Sequence, residues 1–413
     1  VEIANSIQVD VSLEPSLSDM EEVVVIGFGE MSIEVLTTSV SKMDERVLES
    51  VPFSNAASAL QGTVSGVRVQ SVTGQPGAPP RVIVRGGTSI NNPNGATPLF
   101  ISDGVIRQDM NDLNPEDIES MQVLKDAAST SIYGARGSNG VVIIKTKSGK
   151  AGTTKINYRS DFTVSTPSLL YDHATARELL YFQRVGTHLS AQKTPSLNSL
   201  LTGPWGGGVG KDLTNNTGFT PQYLSDENRH KLEEGWETME DPLDPNQTII
   251  FKGTDFQDKL FRTAFSHNHA LTASGGTENA TFNIGLGYLN SQGTAISTDF
   301  ERLTLNMNGD IKVNNSLKLF GRLMYSNTSD NRVPGEGVVF KNNLNTAQTS
   351  KYRFEDGTLA PGRLFTNGNP EYYISRYNTR NSRDMTTLAV GGKDDRIPER
   401  WGYQISRNAV KQE

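Results

Sequence analysis

After residue 150 the chain repeats one pattern that few folds accommodate: apolar and polar side chains alternate over stretches as long as a tilted strand needs to cross a bilayer. Ile156, Tyr158, Ser160, Phe162 and Val164 share one face of the first stretch, and Asn157, Arg159, Asp161 and Thr163 share the other. The alternation returns at Phe261, Thr263, Phe265, His267, His269, Leu271 and Ala273, and again at Phe282, Ile284, Leu286 and Tyr288. Two more runs follow, Leu303, Leu305, Met307, Ile311 and Val313, then Leu317, Leu319, Leu323 and Tyr325. A period of two gives each strand one apolar face, so the expectation is five amphipathic strands. The connections are long (166–260), short (276–279), longer (291–300), short (314–316) and long again after 328. That parity predicts an antiparallel transmembrane β-barrel with short turns on one side and long loops on the other. A soluble sandwich gives no reason for it. Residues 391–413 show no alternation and no terminal aromatic strand. Five strands cannot close a barrel, and an open edge in lipid leaves backbone groups unpaired, so the sequence is expected to be part of a larger one.

Composition permits this reading and narrows others. No run of about 18 apolar residues is present, which excludes a transmembrane helix by length but not a barrel, whose strands are invisible to hydropathy. The 413 residues carry 39 Gly and 18 Pro, a turn-rich balance that favours β architecture. A net charge of -7 argues against a nucleic-acid groove, so no nucleic-acid partner is expected. Cysteine is absent, which removes disulfides and thiolate metal sites. The chain opens on Val1 with no charged and apolar leader, so any export signal lies outside this sequence or has been cleaved.

The stretch 117–149, DIESMQVLKDAASTSIYGARGSNGVVIIKTKSG, is the least generic part of the remainder. Asn114 and Pro115 before it predict a helix N-cap and a first-turn proline, with a short helix to about Ser120. Met121 to Leu124 reads as a strand, and Asp126 opens a second short helix whose small residues allow close packing. Gly134, Gly137 and Gly140 are expected at positive φ, and 141–146 is a β-branched run suited to a buried strand. Upstream, 55–62 reads as helical, 64–70 and 81–85 as strands, 74–80 as a loop, and Asp103 as a turn residue ahead of Gly104.

This stretch, with ALQGTVSGVRV (59–69), VIVRGGTSI (82–90) and PLFISDGV (98–105) in order before it, resembles the plug domain of the SusC/RagA family of TonB-dependent outer-membrane transporters. The resemblance carries as plug signature Arg85, Gly86, Asp103, Gly104, Lys125, Asp126, Tyr133, Gly134, Arg136, Gly137, Asn139 and Gly140. It implies an α+β plug (31–150) inside a large barrel, of about 22 strands in the family, of which 151–413 would be the first part. Residues 1–20, with alternating Ile7, Val9, Val11 and Leu13, would end a carboxypeptidase-regulatory-like sandwich. Residues 21–30 would hold the TonB box: Glu22, Val23, Val24, Val25, Ile26 and Gly27, able to add a strand to a partner sheet. An ordinary first plug strand is the other reading. The implied function is import of a glycan or oligopeptide, powered by TonB and assisted by a SusD-like surface lipoprotein, in the bacterial outer membrane. A surface adhesin and a signalling receptor are the rivals; the substrate-binding residues are unknown.

Other candidate sites are weaker. Arg68, Arg81, Arg85 and Arg136 invite a substrate-contact reading, but pairing with carboxylates of a polar lumen is the plainer one. Asp241 and Asp244 offer carboxylates for a structural calcium ion, against a solvated loop broken by Pro242 and Pro245. In that same long connection, Thr175 and Glu178 are spaced as a capping box for a helix over 175–185. His267 and His269 share a strand face, which suits a metal only with a third ligand; a barrel surface explains them as well. Neither GFGEMS nor GARGSNG has the lysine and hydroxyl of a phosphate loop, and no nucleophile, base and oxyanion hole assemble, so no enzyme and no cofactor is expected.

Overall fold

The computed structural model describes residues 23–26, 29–32, 40–44, 55–71, 73–84, 97–168, 172–210, 218–333, 336–362, 368–377, 380–394 and 401–412. The strand expected near Ile7, together with Glu22, Gly27, Arg85 and Gly86, lies outside them.

Strands β1 (Val23–Ile26) and β2 (Gly29–Ser32) form an antiparallel hairpin. β3 (Val40–Asp44), the paired β4 (Val67–Gln70) and β5 (Arg81–Val84), β6 (Leu99–Ser102), β7 (Val105–Arg107), β8 (Ile118–Leu124) and β9 (Val141–Thr146) build the plug. Its main sheet has the order β3-β8-β9-β6-β7, with β6 and β9 parallel and the other pairs antiparallel. β8 and β9 are buried along nearly their whole length, and β9 accordingly opens on four consecutive apolar residues without alternation. Leu60, Val82, Phe100, Met110, Ile118, Met121 and Ile144 meet in the core beneath them.

β10 (Gly152–Ser165) opens a second sheet. Next come β11 (Gln222–Tyr223), β12 (Glu237–Asp241) and β13 (Asp244–Phe251), a small sheet of order β11-β13-β12. β14 (Ala264–Gly276), β15 (Ala280–Gln292), β16 (Asp299–Lys312), β17 (Leu317–Asn331), β18 (Arg380–Asp394) and β19 (Trp401–Gln412) then follow β10 edge to edge, all antiparallel. The wall therefore has seven strands among the described residues, not five. β18 escapes the expected alternation because both of its faces carry apolar residues: Met385 and Ala389 are buried, Leu388 and Val390 exposed. Without contrast between faces the period of two disappears, and only the backbone ladder marks the strand.

The turns keep the expected parity. Short connections at 277–279 and 313–316 define one rim, and 166–263, 293–298 and 332–379 the opposite, loop-bearing rim. The register places Tyr158 opposite Leu271, Leu271 opposite Leu286, Leu286 opposite Leu305 and Leu305 opposite Tyr325 on one continuous face. That face is apolar and bare: Ile156 is 71% exposed and Phe162 76%. The other face is polar and buried under the plug, with Arg302, Thr304, Asn306, Asn308 and Ser326 almost inaccessible. A soluble sheet has the reverse arrangement; this one suits hydrocarbon outside and a filled polar lumen inside. Among the described residues the sheet is open and does not close on itself.

At the loop rim the long connections fold. The helix Ala176–Ala191 is capped by Thr175 and Glu178, each side chain bonding the other's backbone N–H. Leu180 packs with Met239, Ile249 and Phe251 of the β12–β13 hairpin. The two long connections are tied together by Thr220 N donating to Thr349 O at 2.8 Å and Lys351 N donating to Gly218 O at 2.8 Å.

Candidate functional site

The chemistry of this chain concentrates where the plug meets the wall, and it is built from the ends of plug strands. After β6 the chain turns through Asp103 and Gly104, both at positive φ (47° and 86°). In that pose Asp103 accepts the Thr146 N–H at 3.0 Å and the Thr146 hydroxyl at 2.8 Å. Having donated to Asp103, the Thr146 oxygen is free to accept, and Asn308 Nδ2 on β16 donates to it at 2.8 Å and to Lys147 O at 2.7 Å. A turn residue, a strand end and a wall amide thus form one chain of hydrogen bonds across the interface.

Three wall arginines make further links. Arg159 pairs with Glu116 at 3.0 Å, Arg383 with Asp109 at 3.0 Å, and Arg302 donates to the Asn111 carbonyl at 3.2 Å. The arginines of these links come from the wall; of the plug arginines named above, Arg68 and Arg136 are exposed, Arg81 is half-buried and Arg85 lies outside the described residues. The buried plug arginine is Arg107, which sequence reasoning did not single out; it pairs with Asp112 within the plug, and its Nη1 and Nη2 touch the sulfurs of Met385 and Met324.

Close approach is bought with glycine. A Cβ on Gly285 of β15 would lie 2.1 Å from Asp117 Oδ1, and one on Gly287 2.4 Å from Asn114 Nδ2. Asn114 caps the turn Pro115–Asp117 as expected, although the turn is a 3-10 helix that yields to β8 already at Ile118. Asp117 Oδ1 and the side-chain nitrogens of Asn114, Asn283 and Asn306 are buried without hydrogen-bond partners. Burial drives the Asp117 carboxyl up to about 7, with Lys147 and Arg302 opposing and Glu116 reinforcing the rise.

The remaining signature residues hold the plug together. Lys125 Nζ donates to Ser41 Oγ and to Ser65 O, each at 2.5 Å. Asp126 stands at the N-cap of the helix Ala127–Thr130 and Tyr133 packs beside Leu124 and Ile143. Gly134 and Gly140 have positive φ as expected, but Gly137 does not: it is needed because a Cβ there would meet the Thr130 carbonyl at 2.8 Å. Asn139 is half-buried beside it.

Asp241 and Asp244, the carboxylates named above for calcium, close the tight β12–β13 hairpin, and Asp241 is taken by buried Arg184, whose Nε donates to Oδ1 at 2.8 Å while Nη2 bonds Oδ2. Tyr223 donates to Oδ2 at 2.7 Å and the Leu243 N–H to Oδ1 at 3.0 Å. Burial opposes ionisation of Asp241, but these donors outweigh it and hold its carboxyl below the usual value. Asp244 accepts from the Asn246 N–H. Arg184 was readable as an anomaly, since it shares the buried helix stripe with Ala176, Leu180 and Ala191. His267 and His269 sit on the bare face among Tyr158, Phe162 and Tyr288, with the Tyr158 hydroxyl 2.8 Å from His269 Nδ1. Among the described residues no group of three metal-binding side chains includes them.

A plug sheet seated by polar contacts against strands with an apolar outer face is the architecture of a TonB-dependent receptor, and comparison with known proteins agrees. The family model of the TonB-dependent receptor plug domain matches residues 32–141. The chain belongs to the SusC/RagA-type TonB-dependent receptors. It is 31% identical over 317 residues to the TonB-dependent receptor SusC of Bacteroides thetaiotaomicron, across 74% of this chain and 26% of that one. A TonB-dependent receptor of Formosa agariphila is 30% identical over 363 residues, across 87% of this chain and 31% of that one. The fold matches the RagAB peptide importer in its closed-closed state with a TM-score of 0.65 at 24% identity, covering 91% of this chain and 40% of that one. The chain thus spans about a third or less of the curated relatives it matches.

Proposed function

We propose that the full-length protein imports a nutrient, a glycan or an oligopeptide, across the bacterial outer membrane with energy from TonB, beneath a SusD-like surface lipoprotein. The observation that carries this reading is the plug–wall interface. It is held by hydrogen bonds and by two partly exposed ion pairs, Arg159–Glu116 and Arg383–Asp109, and such pairs are worth about 0–1 kcal/mol each where water competes, so a local pull can release them one at a time. An apolar interface of the same extent would yield only as a block. β1 supports the TonB-box reading, because a two-stranded hairpin leaves an edge to which a partner strand can add. The structural relative RagAB is a peptide importer, which supports the oligopeptide alternative. The bare apolar face supports the membrane location.

The test is growth and uptake on glycans and on peptides by cells carrying the full-length protein, with and without residues 22–27. Abolished uptake with normal amounts of protein in the outer membrane is the expected result. Unchanged uptake on every nutrient that needs the protein would sink the TonB-box assignment. If no nutrient needs it, the adhesin reading takes its place.

A further inference from the structure

We infer that His267 and His269, on the outward face of β14, bind the phosphate of a membrane-lipid headgroup at the loop-side boundary of the bilayer. The inference rests on the bare outward face being the bilayer face; neither TonB nor a cargo enters it.

The register shows where that boundary runs. Ile156, Ala273, Ile284, Met307, Leu323 and Leu388 are successive cross-strand neighbours from β10 to β18, an unbroken apolar row on the outward face. In the row six residues nearer the loop rim, the same face carries His267, Asn290, Glu301, Ser329 and Ser382. Polar side chains turned outward mark the end of the hydrocarbon. Aromatic rings line the transition, as they do at barrel interfaces: Tyr325 on β17, Tyr288 on β15 and Phe162 on β10. Each stands one outward row nearer the loop rim than the one before. Barrel strands are tilted, so a level girdle has to cross the ladder obliquely in this way. His269 is the cross-strand neighbour of Tyr288 and His267 that of Phe162, which puts both imidazoles on the girdle.

The two imidazole rings are 5.2 Å apart and half-buried, with Tyr288 5.7 Å from His267 and Phe162 edge-on 5.8 Å from His269. The Tyr158 hydroxyl lies 2.8 Å from His269 Nδ1. Donation from that hydroxyl places the His269 hydrogen on Nε2 and leaves Nε2–H as a donor. The carboxylate of the polar row, Glu301, stands two strands away, where it accepts from Asn290 Nδ2 at 2.9 Å and pairs with Arg380 at 3.7 Å. The histidines are thus left to an anion.

Continuity fixes what covers them. Acyl chains lie against the apolar rows directly below, so the molecules that own those chains place their headgroups here. Phosphate fits two neighbouring imidazoles because several of its oxygens accept hydrogen bonds and its charge favours the imidazolium. A metal ion would need a third ligand, and among the described residues no group of three includes these two.

The experiment is native mass spectrometry of the purified full-length protein in detergent with EDTA, titrated with lipid A and with the same lipid A after phosphatase treatment. Wild type is expected to prefer the phosphorylated lipid by about five-fold or more, the equivalent of roughly one hydrogen bond. The double substitution His267→Leu and His269→Leu, which suits a lipid-facing surface, is expected to abolish that preference, and Met307→Leu in the apolar row to leave it intact. The comparison of the two lipids on wild type needs no variant, so it stands even where a variant fails to assemble. Equal affinity for the two lipids, or a preference that survives the double substitution, overturns the site. Full displacement of the lipid by inorganic phosphate also overturns it, since the site would then belong to a free anion. Failure of the import reading is separate: no nutrient or TonB is present, so uptake unaffected by loss of residues 22–27 leaves this result untouched.

Discussion

Asp117 is expected to make the seating of the plug depend on pH. Its carboxyl is buried against Gly285, Oδ1 has no hydrogen-bond donor, and its pKa is driven from 3.8 to about 7 mainly by burial. Lys147 and Arg302 pull the value down and Glu116 pushes it up, and burial prevails over the balance. The folded chain therefore holds a proton that the unfolded chain releases near pH 4. The stabilisation from this proton is complete below about pH 4 and is lost as pH rises to about 7. At about 1.4 kcal/mol per pH unit, the full swing has an upper bound of about 4 kcal/mol, or about a thousand-fold in local opening. Asp117→Asn keeps the shape and removes the titration. The assay is amide hydrogen exchange across β8, wild type against variant in the same buffer, so that the intrinsic pH dependence of exchange cancels. Equal protection at pH 4 and progressively faster exchange of the wild type up to pH 8 is the expected result. Parallel behaviour across the range would refute the reasoning and mean that Asp117 is already ionised beside Lys147 and Arg302.

Two further perturbations test the packing. Arg184→Met strands the Asp241 carboxylate in the loop-rim fold and is expected to cost about 3–5 kcal/mol, seen as protease cleavage within 166–263, with most of the loss restored by adding Asp241→Leu. Gly285→Val and Gly287→Leu place side chains where Asp117 and Asn114 already sit. They are expected to expose the plug to protease while the wall stays assembled, whereas Gly321→Val, with nothing within 4 Å of its Cβ, is expected to change neither.

Much of the plug was legible because its instructions are local. Asn114 before Pro115 specified a cap, and the run 141–146 specified a buried strand whose limits match β9. The capping box at Thr175 and Glu178 was readable for the same reason, although the helix runs on to Ala191 because Leu180 and Arg184 are buried against the β12–β13 hairpin. Where a role depended on a distant neighbour, local reading failed. Gly137 looked like a turn glycine and is a packing glycine, because the Thr130 carbonyl folds back onto it. Asp241 looked like a loop carboxylate and is the partner of an arginine 57 positions away.

The sequence by itself determined the two parts of this chain and the order and direction of the first five wall strands. Alternation with period two and the parity of long and short turns are properties of neighbouring residues, and backbone geometry converts them directly into strands with one apolar face. Tertiary structure alone decided which polar residues meet. Asn308 reaches Thr146 across 162 positions, and Arg383 reaches Asp109 across 274. Alternation says only that a wall position is polar. Its partner is set by the height and rotation at which the plug seats, and that depends on packing summed over the whole interface.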